Sequence, residues 1–507
     1  MLPMFPYLPS YTGPHAVGTI DIEIPISELH SPAPLPDNFD IPTIKARIFY
    51  PCEPVKKKSK PVYWIAEPQW DHLEAFYSFL GASSRMSKAI AYSSWFLRST
   101  TIPASRNAPL LKPSTSNGRW PVMVFSHGLG GSRNTYSQIC GSVASHGMVV
   151  IAPEHRDGSC PTTFICDAEG TNSRFIRYEH ISHEPVPEVL YQRSAQLRIR
   201  MAELGFIYDL LLKLESGKEV SNYSKAEDDG NGCQVLKSFT GQLHVLEDGK
   251  IAWAGHSFGA ASVAQFVKSI FWGQPPATKA KGFKALYNLP RDQKLVSQIT
   301  PTSPLVLLDL WAFPTLDPQT SWLLDRELPC YSAPEPKGST VLAVLSEGFY
   351  KWNANLVQTK KMISPKKSTG TEPAHIFYAQ TSAHLSQSDF GVLFPWLTRV
   401  VLKAHDPDRI LRLNTRATME VLRQAGIEVS RTSDIDMERT TPKDLTKEAK
   451  TELSFSDEDI LSTTANKIRG WIALDLDKEV RPGEGSNLES SPDAPPVDVV
   501  IETEIGA

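Results

Sequence analysis

The chain is expected to fold as an α/β protein: a mostly parallel central sheet covered by helices on both faces. Three features carry that expectation. Short continuous apolar runs recur at Pro121–Phe125, Met148–Pro153, Ile251–Ala254, Leu305–Leu308 and Val341–Leu345, as in strands buried on both faces. Helix-patterned stretches separate them; in Tyr191–Leu214, Leu197, Met201, Leu204, Ile207, Leu210 and Leu211 recur at intervals of three and four. The run at 251 ends in Gly255-His256-Ser257-Phe258-Gly259, the pattern of a tight strand-to-helix turn that projects a serine from a sheet edge.

From the N-terminus, Val17–Ile26 alternates apolar and polar residues like a strand, and Ile44–Tyr50 reads as its partner. Lys56–Lys60 reads as a solvated loop tip, and Ser221–Asn231 as a polar, acidic surface insertion. Trp64–Leu97 is dense in aromatic and large apolar residues at helical spacing. Two readings fit it: packed core, or a face that lines an acyl pocket or lies on a membrane interface. Trp95, Phe96 and Leu97 beside Arg98 are the sharpest instance. After Pro121–Phe125 comes the glycine-rich turn Ser126–Gly131, and after Met148–Pro153 the charged tetrad Glu154-His155-Arg156-Asp157. A last strand is expected at Ile376–Ala379.

Composition narrows the class. The 507 residues are 41% hydrophobic and 21% charged, with a formal net charge of −4, so nothing in the balance draws the chain to nucleic acid. The six cysteines show no C-x-x-C and no metal-ligand spacing. The opening residues lack a basic, then apolar, leader; Leu2 excludes N-myristoylation; no apolar run is long enough to span a bilayer. A reducing, cytoplasmic setting with unpaired thiols is the expectation.

The chemistry is read from the serine outward. A nucleophilic serine needs a base within hydrogen-bond reach and an acid to orient that base. On sheets of this kind the order along the chain is serine, acid, histidine, with the partners at strand ends. Asp309 directly follows the Leu305–Leu308 strand, and His384 lies in the loop after Ile376–Ala379. His375 is the weaker histidine, because it precedes that strand, and Asp389 is the next acid to consider. Developing negative charge needs backbone N–H donors. Phe258, next after the serine, should supply one, and the His127–Gly130 turn the other, at Leu129. No metal or cofactor is called for.

The motifs together resemble one family. Phe125-Ser126-His127-Gly128-Leu129-Gly130-Gly131, Glu154–Asp157, Gly255–Gly259, Asp309-Leu310-Trp311-Ala312-Phe313-Pro314 and His384 with Asp389-Phe390 are similar to stretches of the platelet-activating-factor acetylhydrolases, the calcium-independent plasma and type II group. The likeness spans most of residues 11–426. It implies an α/β-hydrolase that removes the acetyl or short, oxidised sn-2 acyl chain of a glycerophospholipid. The family's nucleophile, acid and base fall on Ser257, Asp309 and His384, and its oxyanion donors on Leu129 and Phe258. The partner implied is a phospholipid, with a membrane or lipoprotein surface as one setting. The same triad would equally serve a general carboxylesterase or polyester hydrolase; a non-catalytic binding protein of this fold is the reading from another class.

Residues 1–426 are therefore taken as the catalytic domain and 427–507 as an extension. Within the extension, Ile460, Leu461, Ile468, Trp471 and Ile472 are expected on one side of a capped helix, and the stretch from Arg481 reads as a disordered acidic tail.

Overall fold

A computed structural model describes residues 6–54, 61–224, 231–273, 285–332, 337–366, 372–431, 457–462 and 468–476. The Lys56–Lys60 loop, most of the acidic insertion and the acidic tail lie outside these residues. In chain order, β1 (Ala16–Pro25), β2 (Thr43–Cys52) and β3 (Pro61–Tyr63) precede helices α1 (Gln69–Phe79) and α2 (Ser84–Ser93). Next come β4 (Thr101–Arg106), β5 (Val122–Ser126), α3 (Ser137–Ser145), β6 (Val149–Pro153), β7 (Thr162–Cys166), β8 (Ser173–Arg177), α4 (Pro187–Glu215) and α5 (Asn231–Ser238). The elements β9 (Ile251–His256), α6 (Phe258–Trp272), α7 (Lys294–Gln298), β10 (Leu305–Leu308), α8 (Ser321–Leu324) and β11 (Val341–Ser346) follow. The chain continues through α9 (Glu347–Lys351), α10 (Asn353–Ile363), β12 (His375–Ala379), α11 (Asp389–Leu393), α12 (Pro395–Val400), α13 (Pro407–Gln424) and β13 (Trp471–Ala473).

Eleven of these strands form one sheet, in the order β13-β12-β11-β10-β9-β5-β6-β2-β1-β4-β3. The stretch from β12 to β6 is parallel throughout, while β1 and β2 form an antiparallel pair at its flank. Side chains of the central strands alternate between two cores, because successive residues of a strand point to opposite faces. Val122, Val124, Ile251, Trp253, Leu305 and Leu307 fill one core. Met123, Phe125, Ala252, Ala254, Val306 and Leu308 fill the other. This two-sided burial is why the runs read as continuously apolar.

Three features depart from the sequence reading. The β7–β8 hairpin, a separate two-stranded sheet, was not expected. His375 does not precede its strand but opens it, opposite Leu342. Trp471 and Ile472, expected on a helix, lie in β13, which pairs antiparallel with β12; residues Asp457–Leu461 form a short 3-10 turn. The reason is tertiary: β12 would otherwise be an open sheet edge, and a short strand with Trp471 stacked on Phe377 covers it. Five cysteines are buried and Cys233 is exposed, all as thiols.

Candidate active site

The sheet presents its chemistry where β9, β10 and β12 end. Ser257 joins β9 to α6 with φ 55° and ψ −118°. A side chain held there costs about 1–3 kcal/mol, so the surroundings must fix it. They do. The Ser257 N–H donates to Leu308 O at 2.8 Å, and its carbonyl accepts from Ala261 at 3.1 Å and Trp311 at 3.4 Å. The flanking glycines are required by close approach: a Cβ on Gly255 would stand 2.4 Å from the Gly259 backbone, and one on Gly259 2.0 Å from Ser126 O.

Parallel pairing sets Leu308 opposite His256, so Asp309, the residue after β10, stands beside the serine. His384 arrives from the far side, opening the 3-10 turn Ser382 leads into after β12. Its Nδ1 lies 2.8 Å from Asp309 Oδ2. With the carboxylate accepting, the proton sits on Nδ1 and Nε2 is the basic nitrogen. Asp309 also accepts from the Ser346 N–H. Burial pushes its carboxyl up to about 7, against the lowering pull of the neighbouring imidazole and N–H donors. Among the described residues the Ser257 hydroxyl has no hydrogen-bond partner. The contact between Asp309 and His384 is thus made.

The backbone N–H groups near the serine differ in what they engage. In the 128–131 turn, Gly128 N–H donates to Tyr136 Oη at 3.1 Å, Gly130 N–H to Ser159 O at 2.9 Å and Gly131 N–H to Gly128 O at 3.3 Å. Leu129 N–H has no acceptor among the described residues, and neither has that of Phe258 at the start of α6.

Sequence reasoning missed the residues that hold this arrangement. The His256 ring stacks on His384 at 4.3 Å, and Phe349 stacks on its other face, also at 4.3 Å. His256 Nδ1 lies 2.8 Å from Tyr136 Oη, so one phenol ties the elbow to the glycine turn. Burial holds His256 well below the usual histidine range. From α4, Arg200 donates to His127 O at 2.7 Å and to Asp157 at 2.6 Å, and its guanidinium lies 4.2 Å from the Phe258 ring centroid. One buried cation therefore contacts both the start of the glycine turn and Phe258. No periodicity announces either role, since Tyr136 reaches His256 across 120 residues and Arg200 reaches His127 across 73.

Two alternatives lie elsewhere. His375 Nε2 pairs with Gln424 at 3.0 Å. Asp389 accepts from Trp64 Nε1 at 2.9 Å and from the Ser137 and Gln138 N–H groups at 2.8 Å each, capping α3. His256, Asp309 and His384 do bring ligand-type atoms within 4.8 Å of one another, a convergence that spacing along the chain conceals. Their contacts are better matched to proton transfer, since Asp309 engages His384 and His256 engages Tyr136. Activity is expected to survive dialysis against excess chelator; loss that calcium or zinc restores would contradict this.

A nucleophile elbow at the carboxyl edge of a mostly parallel sheet marks the α/β-hydrolase fold. Within it, the chain belongs to the platelet-activating factor acetylhydrolase, isoform II, family, whose model matches residues 6–440. It is accordingly a carboxylic ester hydrolase. It is 28% identical over 446 residues to a Schizosaccharomyces pombe protein named "Putative phospholipase A2", covering 82% of this chain and 92% of that one. It is 32% identical over 223 residues to the dog platelet-activating factor acetylhydrolase, covering 43% and 45% respectively. Among solved structures, a ferulic acid esterase from Streptomyces cinnamoneus is 15% identical with a TM-score of 0.46, over 83% of this chain and 90% of its own. No helix among the described residues is long and apolar enough to cross a membrane.

Proposed function

We propose that the protein hydrolyses the sn-2 acetyl or short, oxidised acyl ester of glycerophospholipids through an acyl-enzyme on Ser257. What supports the mechanism is the buried Asp309–His384 pair at 2.8 Å beside the elbow serine, and what supports the substrate is the family match. His384 Nε2 takes the Ser257 proton as Oγ attacks the ester carbonyl, and Asp309 holds the tautomer and stabilises the imidazolium. Leu129 and Phe258 N–H groups receive the oxyanion. His384 returns the proton to the departing lysophospholipid alcohol. Water, deprotonated by the same nitrogen, then releases the carboxylic acid and restores the serine.

A panel of phosphatidylcholines with sn-2 chains from acetyl to palmitoyl tests the substrate. The ratio kcat/KM should fall by about tenfold or more as the chain outgrows its pocket. Equal turnover of palmitoyl and acetyl esters would overturn the short-chain reading. Turnover of a nitrophenyl ester or a polyester alone would make the enzyme a general carboxylesterase.

Lipid extraction from an aggregate calls for an apolar surface, and the structure divides Trp64–Leu97 between the two readings. Trp64 and Leu97 are buried, whereas Met86, Tyr92 and Trp95 are 54%, 76% and 55% exposed. Arg98 lies over Trp70 at 4.3 Å, and Trp70 stacks on Tyr92. We assign this face to the lipid surface. Trp95→Ser should weaken binding to phosphatidylcholine liposomes by about tenfold and leave the melting temperature nearly unchanged. Unchanged liposome binding would contradict the assignment.

A further inference from the structure

A concavity of about 870 Å³, lined by none of the candidate catalytic residues, opens between the end of β12, the α12–α13 connection and the turn before β13. Its wall carries three guanidinium groups, Arg399 from α12, Arg409 from α13, and Arg469. Two carboxylates, Asp406 and Asp408, share the wall and offset part of its charge; Asp408 Oδ1 is itself buried without a partner, and three guanidinium groups outnumber the two acids. Asp408 is engaged by Arg412 at 3.0 Å, and Asp406 reaches Arg469 only at 3.9 Å, with both side chains more than half exposed. A pair that loose contributes little. Arg399 and Arg409 have no carboxylate within ion-pair distance among the described residues.

Arg409 is the most constrained of the set. It donates to the Arg469 carbonyl, which holds two guanidinium-bearing residues together, and its Nε is buried without an acceptor. Burial and then the Arg469 charge draw the Arg409 guanidinium down to about 10, against the opposing pull of Asp406. Like charges gathered at a cavity with an unused buried donor call for an anion. Guanidinium forks suit the oxygens of a phosphate, which they can grip by two parallel hydrogen bonds. Arg469 and Gly470 lie beyond residues 6–440, the extent of the family match, so the extension supplies one side of the wall.

We propose that this concavity binds a phosphate-bearing anion, presented by an anionic phospholipid headgroup or as soluble phosphate. Arg399 shares α12 with Trp396 and Val400, which are 70% and 55% exposed, so a headgroup held here would leave its chains beside an apolar ridge. The full chain is compared with Arg409→Gln/Arg469→Gln, and with Arg399→Gln, an exposed change that leaves packing alone. One probe is inorganic phosphate, read by calorimetry and as a rise in melting temperature over a chloride buffer. The other is co-sedimentation with phosphatidylcholine vesicles containing or lacking phosphatidic acid. Affinity for the acidic vesicles should drop about fivefold per arginine removed, and the extra affinity should fade at high salt. A phosphate response seen in wild type and lost in the double variant identifies soluble anions as ligands. A difference confined to acidic vesicles identifies the headgroup. If wild type and both variants answer alike to both probes, the site is refuted.

Discussion

Ser257→Ala is expected to lower turnover of a short-acyl ester on the order of a million-fold, the scale at which removal of a serine nucleophile collapses a triad. The fold should tolerate the change. The hydroxyl has no partner among the described residues, and the strained turn is held by the backbone bonds to Leu308, Ala261 and Trp311, which alanine keeps. The check is single-turnover kinetics beside a melting curve. A folded Ser257→Ala protein within tenfold of wild type would remove the serine from the mechanism.

Asp309→Asn is the second large effect, a loss of about ten-thousand-fold in kcat with the fold intact. An amide at this position can donate to His384 Nδ1 and thereby select the wrong tautomer. The pH dependence separates this role from a structural one. Burial raises the Asp309 carboxyl to about 7, and catalysis needs the carboxylate. Wild-type kcat/KM should therefore fall as pH drops through about 7, a titration that belongs to the Asp309–His384 pair. Stability runs the other way. A carboxyl whose folded pKa lies above its unfolded value stabilises the fold at low pH and loses that contribution as pH rises through the folded value. The melting difference between wild type and Asp309→Asn should thus favour wild type most below pH 4 and shrink towards pH 7. Near-full activity in a folded Asp309→Asn protein would send the search for the acid elsewhere; Asp389, fully engaged in capping α3, is poorly placed to take over.

The parts of this molecule that local rules dictate were legible in the sequence. Leu305–Leu308 matches β10 residue for residue, because a strand buried on both faces must be apolar throughout. The elbow could be read because two close backbone approaches demand glycine at 255 and 259. Asp309 and His384 could be chosen because strand ends and chain order constrain where partners can stand, and the structure sets them 2.8 Å apart. What depends on distant contacts was not legible. Tyr136 reaches His256 across 120 residues, and Arg200 reaches His127 across 73. No periodicity announces either. The β13 strand reads as a helix face because Ile468, Trp471 and Ile472 fit helical spacing as well as a short edge strand. Only the open edge of β12 decides between them. Trp64–Leu97 is likewise split residue by residue, since aromatic density does not say which rings face inward.

The central claim is that Ser257 is the covalent nucleophile. Treating the wild-type protein with a fluorophosphonate and mapping the adduct by peptide mass spectrometry tests it directly. The account predicts one adduct per chain, on Ser257, blocked in advance by a short-acyl phospholipid. An adduct on another residue, or an intact protein that hydrolyses ester yet takes no label, would contradict it.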